Sequence, residues 1–138
     1  MKQILSILCL GIIMISCNGE KKKQQQELKQ IYDQVIDIHD VAMPKLQPIV
    51  KYQAEIQKQL ANGQDSLDKP TLDELNKMNI NLLKSERAMM DWMHNLNTQY
   101  DTLSFEDAKQ YLLEEKENIT QVNEMMDRAV EHARTKLQ

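Results

Sequence analysis

Between residue 26 and the C-terminus, apolar side chains recur at steps of three and four residues along three long segments, and helix-breaking residues are scarce inside them. That spacing puts the apolar groups on one face of an α-helix, which has to be buried against another helix. The first segment runs from about Gln26 to Asn62, with Leu28, Ile31, Val35, Ile38, Ala42, Leu46, Ile49, Ile56 and Leu60 as its stripe. Gly63 is a natural stop. Pro44 and Pro48 each remove a backbone donor and push the preceding residue from helical geometry, so a kink or short break is expected near Met43.

Asn62 to Pro70 is turn chemistry. A second helix is expected to open at Thr71, its hydroxyl capping while Glu74 reciprocates, with Leu72, Leu75, Leu82, Met89, Met93 and Leu96 as its stripe. After a connection at Thr98 to Leu103, Ser104 is placed to cap the third helix, with Glu106 and Asp107 favouring its N-terminal dipole. Its stripe is Ala108, Leu112, Ile119, Val122, Met126, Ala129, Ala133 and Leu137. Short connections make neighbouring helices antiparallel. The expected fold is all-α: an elongated, antiparallel, up-down-up three-helix bundle over residues 27–138, its first helix kinked near Pro44.

Composition agrees. The 138 residues include three Gly, three Pro and 4% aromatics, against nine Met. Seventeen Lys+Arg face 21 Asp+Glu for a formal net charge of −4, the signs interspersed. No basic footprint for nucleic acid is present.

The first 26 residues follow another logic. Met1-Lys2-Gln3 is a short basic start, and Ile4 to Ile15 is apolar apart from Ser6 and Gly11. About a dozen apolar residues fall short of the ~20 that span a bilayer, so this run suits a signal peptide. It ends in Met14-Ile15-Ser16-Cys17, which resembles the lipobox of bacterial lipoproteins. The resemblance implies removal of residues 1–16 and lipidation of Cys17; the alternative is an ordinary secretory signal containing a cysteine. Cys9 and Cys17 are the only cysteines, so cleavage leaves no disulfide, Cys–zinc site or Cys nucleophile in the domain. Two or more acyl chains anchor stably where one does not. Residues 17–26, with Lys21, Lys22 and Lys23 among glutamines, read as a polar tether.

Chemistry needs converging groups. Pairing the first two helices about a turn near Ser66 sets His39 level with Met93, and Met43 level with Met89 and Met90; the third helix contributes Tyr111 to Glu115 at that height. His39, Met43, Met90, Met93 and His94 are the candidate ligands for copper, since imidazole and thioether suit Cu(I) and Trp92 could face the cation. Against this, Met fills cores at helical spacing, and Met93 and His94 point about 100° apart. Packing is the reading adopted, and no cofactor is expected. Haem through the same His/Met residues lacks bulky lining. A paired-acid site from Glu86 and Glu115 has no supporting pocket signal, and a di-iron bundle would need Glu-x-x-His pairs that are absent. No nucleophile with its base appears, so no enzyme is expected.

His39-Asp40-Val41-Ala42-Met43-Pro44-Lys45, Ala88-Met89-Met90-Asp91-Trp92-Met93-His94 and Tyr111-Leu112-Leu113-Glu114-Glu115-Lys116 resemble motifs of a family of small Bacteroidota-type lipoproteins, some labelled "viral A-type inclusion protein". The resemblance implies a helical envelope lipoprotein and transfers no activity. The expected role is a lipid-anchored structural or protein-interaction module in the cell envelope, facing the periplasm; the alternative is a copper-binding lipoprotein.

Overall fold

The computed structural model describes residues 2–63 and 66–137, with side chains from residue 19 onward. The leader and Cys17 therefore lie outside the residues whose side chains are described. Helix α1 spans Lys2–Ala42, α2 Leu46–Gly63, α3 Lys69–Asn95 and α4 Phe105–Leu137. A single 3-10 turn at Met43–Lys45 separates α1 from α2, and another at Tyr100–Thr102 precedes α4. The protein is all-helical, and its helices form a three-helix bundle with α1 and α2 as one arm.

The seam explains why α1 and α2 act together. Leu28, Val35, Ala42, Ile49, Ile56 and Gly63 are all buried and fall seven residues apart, straight through the 3-10 turn. One such turn has 3.0 residues against 3.6 in an α-helix, so it shifts the stripe by only about 60°. Pro44 sits in the first positions of that turn. Pro48 falls in the first turn of α2, where backbone N–H groups have no intrahelical acceptor to lose. In α3 the buried set is Leu75, Met78, Leu82, Ser85, Met89 and Trp92. In α4 it is Ala108, Leu112, Ile119, Met126, Ala129 and Ala133. Steps of three and four sustained this long are the heptad repeat of a coiled-coil seam.

Polar bridges fix how the arms lie. Glu27 pairs with Lys109 at 2.6 Å, Gln34 with Lys116 at 2.7 Å and Lys45 with Asp127 at 2.5 Å, the same 82-residue separation in each case. Partners of the first arm and of α4 thus advance together. Those of α3 go the other way, from Glu74 with His132 to Asn97 with Tyr111. Lys45, in line with the seam, also donates to Asn123 Oδ1 at 2.6 Å. Glu86 is half-buried and accepts from the amide Nε2 of Gln53 at 3.1 Å. Glu115, also half-buried, is reached by Asn118 Nδ2 at 3.5 Å, so here too the partner is an amide.

Two local expectations are refined. Residues 19–26, read from the sequence as part of a polar tether, are helical and continue α1. Glu, Lys and Gln are good helix formers, and a helix already nucleated by packing from Leu28 onward extends at little cost. The segment from Gly19 to Leu28 is thus a helical stalk of about 14 Å. The second correction is at α3, which starts at Lys69, not Thr71. Asp68 is its N-cap, accepting from Thr71 N–H at 3.0 Å, and Pro70 is tolerated in the first turn. Glu74 is thereby free to meet His132 Nε2 at 2.8 Å. At α4, Ser104 Oγ accepts from Asp107 N–H at 3.3 Å.

Hydrogen bonds from Thr71, its hydroxyl first and its backbone N–H second, hold the Asp68 carboxyl below its ordinary value. The stabilisation is present above the unfolded-state value near ~3.9 and is lost as pH falls through the folded one. Asp68→Ala is therefore expected to melt below the parent chain at neutral pH, the gap narrowing at about pH 3. Asp68→Asn, which caps without charge, should fall between the parent and Asp68→Ala at neutral pH and show no titration of its own near pH 3. Thermal melts at the two pH values check this; an Asp68→Ala gap that does not change with pH would refute the charge account.

Candidate functional site

His39 lies three residues before the end of α1, beside Ile38, which packs on the main core. Trp92 and Met93 lie in the last turn of α3. Where the two helices cross, His39 Nε2 stands 3.3 Å from Met93 Sδ. The imidazole is 5.7 Å from the Trp92 indole, centroid to centroid, with the rings tilted by 32°. On its other side, His39 Nδ1 is 2.9 Å from Asp40 Oδ1. The His39 side chain is 20% exposed and that of Asp40 68%, so the pair sits at the rim of the core.

The carboxylate decides the tautomer. An ionised carboxylate can only accept, so the proton of the neutral ring belongs on Nδ1. Nε2 then directs its lone pair at a thioether that has no hydrogen to give. The two atoms stand in van der Waals contact, and a proton on Nε2 or a soft cation bound by both would turn that contact into a bonded one. A second anomaly lies alongside. Trp92 Nε1 is enclosed and meets no acceptor among the described residues. A buried donor without a partner costs about 1–3 kcal/mol, and native structures rarely retain one without reason.

The other proposed ligands are not gathered here. Met43 packs against the main core cluster, while Met90 is 51% exposed on the outer side of α3. His94 is exposed, and Met89 is fully buried beside Met90. Successive helix residues diverge by about 100°, so Met89 and Met90 cannot face one point. The third arm is also displaced from its expected height. Lys116 already meets Gln34, five residues before His39, so α4 passes the site beyond Tyr111–Glu115 by one to two turns.

Tyr111 serves the end of α3 instead. Its hydroxyl accepts from Asn97 N–H at 2.7 Å, and burial pushes its acidity down, raising the pKa above the usual tyrosine value. For the role of Asp40 the sequence offers one signal, its position next to a histidine. Among the described residues no group of three or more His, Cys, Asp or Glu converges to hold a metal ion, and no helix is long and apolar enough to cross a membrane. The chain matches no protein-family model, no curated protein and no solved structure.

Proposed function

We propose that this chain is a cell-envelope lipoprotein, held by a lipidated Cys17, whose helical bundle is a structural or protein-interaction module and not an enzyme. The observation that supports an interaction role is the outer face of α3. Ile80, Leu83 and Met90 are 50%, 37% and 51% exposed, and with Arg87 they repeat at steps of three, four and three. That is the spacing of a helix seam, on the side opposite the buried Leu82 and Met89. A single exposed leucine has no significance, whereas an apolar stripe at helical spacing marks a surface that another helix can cover. Next to it, Met125 of α4, itself 37% exposed, lines a shallow groove with Asn81, Lys84 and Arg128. The envelope location rests on the leader and the lipobox resemblance, and a stalk ending at Leu28 would carry this face clear of the lipid surface.

A photoreactive residue placed at Leu83 in cells tests the interaction role. The expected result is a discrete adduct with one envelope protein, lost when Ile80 and Met90 are changed to Ser. The same probe at exposed Lys58, on α2, should give no such adduct. Equal labelling from both positions would contradict the proposal.

A further inference from the structure

Independently of the interaction face, we propose that His39 and Met93 are the two protein donors of a Cu(I) site, with the Trp92 ring beside the bound ion. The unresolved lone-pair contact carries the argument. His39 Nε2 and Met93 Sδ face each other at 3.3 Å, and Asp40 Oδ1 at 2.9 Å from Nδ1 holds the tautomer that leaves Nε2 unprotonated. A carboxylate on the far nitrogen of a ligating histidine is the arrangement that orients imidazole and raises its basicity toward a metal. A monovalent soft cation seated to one side of the 3.3 Å contact, bound by both atoms at a bent angle, converts the two lone pairs into two bonds.

The donor set selects the ion. Imidazole with thioether suits Cu(I), whereas zinc, calcium and magnesium take carboxylates, thiolates or several imidazoles. No convergence of such groups occurs among the described residues. Trp92 is held 5.7 Å from the imidazole with its Nε1 unpartnered. What the indole offers here is its face, which attracts a cation within about 6 Å. The rim position of His39 gives the ion a route from solvent.

The rival is a proton on Nε2, which makes the contact an imidazolium N–H···S bond and needs no metal. Anaerobic titration separates the two, using the full processed chain in detergent, Cu(I) alone as the ligand and a chromogenic Cu(I) chelator as competitor. Trp92 is the only tryptophan, so its emission reports on this site and no other. The expected result is one Cu(I) per chain with quenching of Trp92 emission. Met93→Leu, which keeps the bulk of the side chain, should weaken binding at least 100-fold. Asp40→Asn should weaken it about 10–100-fold, as changes behind a ligating histidine do. Because Asp40 is exposed, this variant tests the site even if Met93→Leu misfolds. Absence of quenching in the parent chain would overturn the proposal, as would Cu(I) affinity unchanged in either variant.

Discussion

Leu82→Ala and Ile119→Ala are each expected to lower the stability of the bundle by about 2–5 kcal/mol. Both side chains are 0% exposed, so truncation removes their transfer free energy and leaves a cavity that the seam can close only in part. A domain of this size has roughly 5–15 kcal/mol in total, so the double variant should be largely unfolded. Ile119→Val should cost about 0.5–1.5 kcal/mol. Ile80→Ala on the exposed face should cost no more than about 0.5 kcal/mol. Urea unfolding followed by far-UV circular dichroism orders the four. If Ile80→Ala proved as damaging as Leu82→Ala, the burial pattern of α3 would be wrong, or Ile80 would already be covered in solution by another chain.

The three apolar stripes were legible in the sequence because burial in a helix bundle imposes its period directly on the residues. What the stripes missed has a physical reason in each case. Ser85 sits fully buried in the seam with its hydroxyl donating to Leu82 O at 2.8 Å; a polar residue satisfied within its own helix looks in sequence like a surface position. Trp92 drew attention as a partner for a cation, and its place in the repeat of Met78, Ser85 and Trp92 was overlooked. At the start of α3, two capping signals stand three residues apart. Asp68 takes the role from Thr71 because Pro70 fits the first turn of a helix as readily as it ends a loop. The helical form of the tether was not legible because polar composition resembles a linker, and only the packed helix beyond it shows that the segment has something to extend from.

The candidate site was legible at one contact. An antiparallel pairing of the first two helices put His39 level with Met93, and their side chains stand 3.3 Å apart. The pairing could not rank Met43, Met90 and His94, because a level fixes height along the bundle and not direction around each helix. Direction depends on the seam, which turns Met89 inward and Met90 outward. The role of Asp40 was out of reach for a related reason: its bond to His39 depends on rotamers, which sequence spacing does not define.

Anchoring separates a lipoprotein from a secreted helical bundle, and Cys17 alone decides between them in this account. With its thiol diacylglycerated and its amino group acylated, the chain should sediment with membranes and stay there in high salt, since acyl chains in the bilayer are indifferent to ionic screening. The lysines at 21, 22 and 23 cannot substitute, because headgroup attraction of about 1 kcal/mol per charge is weakened by salt. The most direct measurement is metabolic labelling with an alkyne palmitate analogue in cells producing the parent chain or Cys17→Ala, followed by membrane fractionation in high salt. The account predicts label on the parent chain in the membrane fraction, and an unlabelled Cys17→Ala chain in the soluble fraction. Parent chain without label, or a Cys17→Ala chain as firmly membrane-bound as the parent, would contradict it.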